Sequence, residues 1–135
     1  MPDAPSPEAI VATIEQYCAR FSAGDRDGWL ALWSEEATME DPVGSPVKHG
    51  RDAIAEFYDG SVGGADSVTL TVAGDPIVCG DQAAFRFEIR PVLGGTTFSV
   101  HAIDVMTFAD DGNGEAKITS QRAFVDLTKL VPADA

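Results

Sequence analysis

The feature that most constrains the fold of this chain is a change of hydrophobic period near its middle. Up to residue 58, apolar side chains recur at helical spacing. After a glycine-rich connector at 60–64 the period becomes two, which indicates strands. Helices followed by a meander of strands are typical of the α+β class. We therefore predict a cone-shaped, curved antiparallel or mixed β-sheet wrapped around three helices in the N-terminal half.

Three helices and one short strand are predicted before the connector. Ser6 in front of Pro7 is a typical helix start, and Gly24 is a typical helix stop. A short second helix is expected next, followed by a strand at 37–42 and a third helix at 50–58. The second helix is expected to bury one face, formed by Trp29, Leu32 and Trp33.

Four longer strands are predicted after the connector. They lie around 68–72, 85–89, 96–108 and 116–126. Gly94 and Gly95 give a hairpin signal between two of them. A length of 135 residues fits one domain with one core. We therefore predict a single domain over 1–135, with flexible ends at 1–6 and 128–135.

The charge balance excludes several classes of partner. The chain has 9 lysine and arginine residues against 22 aspartate and glutamate residues, a formal net charge of −13 at pH 7. This excess repels phosphate backbones and anionic lipids, so we expect neither nucleic acid nor a membrane as partner. No apolar run long enough to cross a bilayer and no secretory signal occur in the sequence. We expect a cytoplasmic protein with a neutral or cationic ligand.

Metal and cofactor motifs are absent from the sequence. The two histidines, His49 and His101, lack the spacing of a metal site. No glycine-rich nucleotide motif and no nucleophile-elbow motif occurs. Cys18 and Cys79 lie in apolar stretches, where buried, reduced thiols are expected. We predict no metal and no cofactor, so any chemistry must depend on side chains alone.

Two aspartates interrupt apolar strand faces. In 96–108, the face that carries Asp104 also carries Ala102 and Met106. An ionised carboxylate buried there would be costly, so a raised pKa and a neutral acid are expected. Asp41 lies on the apolar face of the earlier short strand, but at its end, where less desolvation is expected. A bulge that turns Asp104 outward, or a turn-opening role for Asp41, is the structural alternative.

A tyrosine on the first helix completes a possible proton-transfer site. Asp41, in the wetter position, can act as an ionised base. Asp104, in the drier position, and Tyr17 can each donate a hydrogen bond to a developing oxyanion. Two carboxylates in different environments beside a phenol are an arrangement that moves a proton at a carbon acid. The structural alternative for Tyr17 is a core tyrosine whose hydroxyl is bound by a neighbour.

Four segments of the chain form a specific combination: Tyr17 before FSAGDRDG, EDPVGSP around Asp41, HGRDAIAEFY ending at Tyr58, and AIDVMTF around Asp104. Together they resemble the Δ5-3-ketosteroid isomerases of the nuclear-transport-factor-2-like (SnoaL-like) superfamily. The resemblance implies that Asp41 is the base and that Tyr17 and Asp104 form the oxyanion hole. It also implies a hydrogen bond from Tyr58 to Tyr17 and a homodimer formed through the sheet face. These isomerases are themselves the standard example of a carboxylic acid kept neutral at pH 7.

The resemblance further implies an activity and an apolar pocket. The activity is conversion of 3-oxo-Δ5-steroids to conjugated Δ4 ketones through a dienolate, without a cofactor and with an apolar, steroid-like ligand. Some members have a third tyrosine where this chain has Trp33, and one branch has an aromatic residue near the position of Val125. The expected pocket residues are Trp33, Met39, Phe57, Phe85, Phe87, Ala102, Met106 and Val125.

Two other functions stay open at this point. One is a polyketide cyclase or epoxide hydrolase of the same superfamily. Those hydrolases use an arginine between two carboxylates, and the residue two positions before Asp104 is Ala102 rather than arginine. The other is a non-catalytic small-molecule-binding dimer, in which both aspartates are structural.

Overall fold

The structure is a computed structural model that describes residues 4–133. The first helix begins and ends where its capping residues predict. The Ser6 hydroxyl accepts a hydrogen bond from the Ala9 N–H, and Gly24 ends the first helix at a positive φ of 72°. The helices are α1 (Pro7–Ala23), α2 (Arg26–Leu30) and α3 (Gly50–Gly63). Within residues 4–133, none of them has the length and apolar character of a membrane-spanning segment.

The segments after α2 and at the end of α3 differ from the prediction. Leu32 and Trp33 are buried but do not belong to α2, because Trp33 already pairs with Ile118 in a strand. The predicted glycine-rich connector is mostly helical, because α3 continues to Gly63 and packs Val62 against the core. Backbone pairing and apolar burial thus decide both boundaries.

Within residues 4–133, seven strands form one mixed sheet. The strands are β1 (Trp33–Glu40), β2 (Lys48–His49), β3 (Ser67–Cys79), β4 (Gln82–Leu93), β5 (Thr96–Asp110), β6 (Ala116–Val125) and β7 (Val131–Pro132). The order across the sheet is β2-β1-β6-β5-β4-β3, and β7 pairs with β5. The strands from β3 to β6 are each antiparallel to the next, whereas β1 runs parallel to β6.

The helices lie inside the curve of this sheet. Helix α1 packs on β3 at one edge and also contacts β6, while α3 packs on β1 towards the other edge. The core between helices and sheet is apolar and includes Ile10, Ile14, Ile54, Phe85, Met106 and Ile118. This arrangement confirms the predicted α+β fold with a mixed sheet around three helices.

A bulge in β6 determines which of its side chains face the core. Thr119 is the extra residue, because the pairs with β5 shift register around it. Before the bulge, Ala116 and Ile118 are buried; after it, Gln121 and Ala123 are buried. The inward positions therefore change from even to odd numbers along this strand.

The C-terminal segment is paired with the sheet, and one cysteine differs from the prediction. Within 128–133, part of the end expected to be flexible, Val131–Pro132 pairs with β5 and the Ala133 N–H donates to the Thr97 carbonyl. Residues 1–3 and 134–135, which belong to the predicted ends, lie outside the described residues. Both cysteines are free, and Cys18 is buried as expected. Cys79 is exposed, so its predicted burial is wrong; it ends β3, the edge strand of the sheet.

Candidate active site

Three buried polar side chains form a hydrogen-bonded chain across the interior. The Gln121 Nε2 group donates to Asp104 Oδ2 at 3.0 Å and to the Tyr17 hydroxyl oxygen at 3.3 Å. Tyr17 is 3% exposed, Gln121 1% and Asp104 0%. The amide thus links α1, β6 and β5 at one point inside the cone.

Asp104 occupies the predicted apolar register. It lies between Ala102 and Met106 on the inward face of β5 and pairs with Phe85 of β4 and Ala123 of β6. The outward-turning bulge considered as an alternative is therefore wrong. Within residues 4–133, Asp104 Oδ1 has no hydrogen-bond partner.

The electrostatics of this buried group favour protonated forms. Burial raises the pKa of Asp104 well above its ordinary value, and nearby Asp41 raises it further, while the hydrogen bond from Gln121 lowers it. Burial also raises the pKa of Tyr17, with added contributions from Asp104, Asp41 and Cys18 and an opposing one from Gln121. The pKa of Cys18 rises to about 12, first through burial and then through Asp104. Asp104 is therefore a neutral acid over a wider pH range than an ordinary aspartate.

Asp41 has a different environment. It directly follows the last residue of β1 and is half-buried. Burial raises the pKa of its carboxyl, whereas Gln121 and the charge of Lys48 lower it. Unlike Asp104, it lies on the wall of an open cavity. The two carboxylates thus differ in desolvation, as the sequence predicted.

The cavity beside Asp41 has a volume of about 240 Å³. Tyr17 and Asp41 are the only ionisable side chains on its wall within residues 4–133. The same part of the chain holds no group of three His, Cys, Asp or Glu side chains placed for a metal ion. Most of the remaining wall is apolar, formed by Phe21, Phe57, Val68, Leu70, Phe87, Ile89, Val125 and Leu127.

Only part of the predicted pocket lines this cavity. Phe57, Phe87 and Val125 do so. The other five predicted pocket residues do not, because they are packed in the closed core at 0–3% exposure: Trp33, Met39, Phe85, Ala102 and Met106. Trp33, for example, packs against Tyr17 with ring centres 6.2 Å apart.

Tyr58 does not have its predicted role. Within residues 4–133 no hydrogen bond joins it to Tyr17; its ring instead packs 5.1 Å from Phe21 and 5.2 Å from Trp29. Burial is the main cause of its raised pKa, and the other causes are charged groups near α2, namely Asp25, Asp59 and Arg26. The group that donates to Tyr17 is therefore Gln121 rather than Tyr58.

Sequence reasoning missed Gln121 because of the bulge. Strict alternation from the buried Ile118 would place Ser120 inward and Gln121 outward. The extra residue Thr119 reverses this assignment. An inward amide on β6 would become visible in the sequence only if the bulge itself were recognised.

Comparisons with known proteins agree with this fold. Residues 14–119 match the SnoaL-like domain family. A steroid Delta-isomerase of Nocardioides simplex is 38% identical over 115 residues, which cover 85% of this chain and 88% of that relative. The chain therefore belongs to the SnoaL-like domain family. The resemblance to the ketosteroid isomerases within that superfamily is confirmed.

Two further relatives act on other chemistry. Epoxide hydrolase LasB of Streptomyces lasalocidi is 37% identical over 73 residues, which cover 53% of this chain and 26% of that protein. A solved structure of the epoxide hydrolase/cyclase-like enzyme SalBIII, of pyran ring formation in polyether salinomycin, superposes with a TM-score of 0.77 at 28% identity. The superposed region covers 90% of this chain and 93% of the SalBIII chain. These relatives support an enzyme over a purely structural module.

Proposed function

We propose that this protein is a steroid Δ-isomerase that converts 3-oxo-Δ5-steroids to the conjugated Δ4 ketones. The observation that carries the proposal is that Asp41 and Tyr17 share the wall of one apolar cavity, and that Gln121 joins Tyr17 to the buried carboxyl of Asp104. The 38% identity to a steroid Delta-isomerase supports the same reaction. Relatives that act on epoxides make a test of the substrate necessary.

The proposed mechanism moves one proton and changes no oxidation state. Asp41 removes a proton from C4, next to the carbonyl, and the C–H electron pair becomes part of a dienolate with its charge on the C3 oxygen. Tyr17 and neutral Asp104 each donate a hydrogen bond to that oxygen. Protonated Asp41 then returns the proton to C6, which leaves the double bond conjugated with the ketone.

The environments of the groups fit these roles. A general base works best when its pKa lies near the working pH, and burial moves the pKa of Asp41 upward from its ordinary value. An oxyanion is stabilised best by donors that are fixed in a dry site, and Tyr17 and Asp104 are both almost fully buried. The ketone itself accepts the electron pair, so this reaction requires no cofactor.

The cavity favours an uncharged, apolar ligand. Its volume of about 240 Å³ lies below the ~300–1,000 Å³ of typical small-molecule pockets. We infer that the ring with the ketone enters first and that the rest of the ligand lies at the open side, near Val125 and Leu127. The net charge of −13 also disfavours an anionic substrate.

The direct test is conversion of a 3-oxo-Δ5-steroid, followed by the near-ultraviolet absorbance of the conjugated enone. We expect absorbance to rise with wild-type protein and to stay near the uncatalysed rate with Asp41→Asn. Absence of a rise with folded wild-type protein would overturn the proposal. A synthetic 3-hydroxy-Δ5-steroid, which lacks the activating ketone, is the matched control substrate.

A second candidate function is the opening of an apolar epoxide, and the similarity to LasB and SalBIII favours it. In that reaction Asp41 would deprotonate the attacking water or hydroxyl, and Tyr17 would protonate the epoxide oxygen. Against it, no arginine within residues 4–133 lines the cavity. Diol or ether formation from an apolar epoxide, detected by mass spectrometry without any steroid isomerisation, would replace the first proposal.

We further propose a homodimer through the outer face of the sheet. Ile103 of β5 and Phe124 of β6 lie directly opposite each other on that face and are 46% and 43% exposed. A second copy that packs on this face would cover both side chains. Light scattering should give a dimer mass for the wild type and a monomer mass for Ile103→Lys. A wild-type monomer at micromolar concentration would contradict this proposal.

A further inference from the structure

Gln121 uses both hydrogens of its amide nitrogen inside the site. One goes to Asp104 Oδ2 and the other to the Tyr17 hydroxyl oxygen. Two further buried oxygens, Asp104 Oδ1 and Gln121 Oε1, have no partner within residues 4–133. Buried polar atoms without partners are uncommon and costly, so this pattern calls for an explanation.

The direction of these bonds decides where the remaining hydrogens are. Because Oδ2 of Asp104 accepts from Gln121, the proton of the neutral acid belongs on Oδ1. The Tyr17 oxygen also accepts a hydrogen bond from Gln121, so the hydroxyl hydrogen of Tyr17 is not used in the bond to the amide. Both hydrogens are then unused within the group; of the two residues, Tyr17 lies on the cavity wall and Asp104 is fully buried.

We propose that Gln121 is a positioning residue of the site, whose amide holds Tyr17 and Asp104 so that both hydrogens are available to a ligand oxygen. Without this amide, the phenol could donate to the Asp104 carboxyl and lose its use as a donor. The amide also takes the place of the predicted Tyr58 bond. This inference rests on the proposed function, because it deepens the account of the same oxyanion site.

The first test measures binding of an oxyanion without any turnover. The probe is 4-nitrophenol, because its phenolate oxygen resembles that of a dienolate and its absorbance distinguishes the ionised from the neutral form. We expect wild-type protein to bind the phenolate and Gln121→Met to bind it about tenfold more weakly, as expected for one lost hydrogen-bond donor. Gln82→Met, an exposed position at the start of β4, is the matched control and should bind like the wild type.

Kinetics separate a positioning role from simple packing. With the steroid substrate, Gln121→Met should lower kcat about tenfold and leave KM nearly unchanged, because the lost bonds matter most when charge develops on the oxygen. Gln121→Glu keeps the shape but replaces the donating nitrogen by an oxygen. We expect it to weaken phenolate binding at least as much as Gln121→Met.

A measurement on the wild-type chain keeps the test valid even if both variants unfold. The chain has three glutamines, Gln16, Gln82 and Gln121, so selective ¹⁵N labelling gives three side-chain amide signals. One pair should exchange slowly with solvent and should shift when 4-nitrophenol binds. Three rapidly exchanging pairs would overturn the inference.

The outcomes distinguish this inference from the proposed function. Phenolate binding that is unchanged in Gln121→Met and Gln121→Glu would overturn the role of Gln121 alone. Weakened phenolate binding in both variants, with no steroid isomerisation by the wild type, would support Gln121 and overturn the proposed substrate. No phenolate binding by the wild type would overturn the oxyanion site and this inference together.

Discussion

Asp104 and Asp41 belong to one site, but their surroundings differ in almost every respect. Asp104 lies in the middle of β5, fully buried, with a strand on each side. Asp41 lies just beyond the end of β1, half-buried on the wall of an open cavity. Burial raises the pKa of Asp104 well above its ordinary value. Burial also raises the pKa of Asp41, but Gln121 and the charge of Lys48 lower it.

The position of each aspartate in the fold thus separates an acid role from a base role for identical side chains. Desolvation in the sheet interior favours a carboxylic acid that donates. The partly open position keeps a carboxylate that can accept a proton and release it again. Four substitutions test this division.

Asp41→Asn should have the largest effect, because it removes the proposed base and leaves no second one on the cavity wall. We expect kcat to fall by about 10²–10⁴-fold, with ligand affinity nearly unchanged. Asp75→Asn, at an exposed position of β3, is the matched control and should keep wild-type activity. A kcat within about tenfold of the wild type would show that Asp41 is not the base.

Tyr17→Phe removes one of the two proposed donors but leaves the aromatic ring in the core. The loss should be about 3 kcal/mol in transition-state stabilisation, or roughly a hundredfold in kcat, with little change in KM. Steady-state kinetics with the steroid would measure both. If KM rises strongly while kcat is unchanged, Tyr17 serves binding or packing and the donor role is wrong.

Asp104→Asn should change stability in a pH-dependent way. Because the folded-state pKa of Asp104 is raised, the folded protein holds more protons than the unfolded chain between the unfolded pKa of about 4 and the folded pKa. Its contribution to stability is therefore fully present below about pH 4 and decreases as pH rises through that window, by about 1.4 kcal/mol per unit. Asparagine does not ionise, so the variant should gain stability relative to wild type as pH rises.

Denaturant unfolding at several pH values, at fixed protein concentration, measures this effect. The matched control is again the exposed Asp75→Asn. If Asp104→Asn changes the free energy of unfolding by the same amount at every pH, Asp104 is not held neutral in the folded protein. Asp104→Asn retains a donor and should lose less activity than Asp104→Ala.

Tyr58→Phe should have the smallest effect. Within residues 4–133 the Tyr58 hydroxyl makes no bond to Tyr17, and its ring packs against Phe21 and Trp29. We expect kcat to change by less than about threefold, which corresponds to ~0.7 kcal/mol. A loss of kcat as large as that of Tyr17→Phe would instead show that the two phenols are coupled during the reaction.

The sequence predicted those parts of the site that depend on unbroken periodicity. Asp104 could be assigned to the interior because β5 alternates without interruption between Ala102 and Met106. Gln121 could not, because one unpaired residue in β6 shifts the alternation. The predicted pocket was partly wrong for a related reason. An inward position, such as that of Met39, shows that a side chain is buried but not whether empty space lies next to it.

The parallel pairing of β1 with β6 has a consequence for the order in which the site is assembled during synthesis. Met39, two residues before the proposed base Asp41, pairs with Gln121 across β1 and β6, although the two residues are far apart in the sequence. A nascent chain that ends before β6 would already contain Tyr17, Asp41 and Asp104, yet β1 would have no parallel neighbour and the bridging amide would not exist. Loop closure over so long a stretch is slow compared with local hairpin formation. The complete site would therefore form only after β6 has left the ribosome.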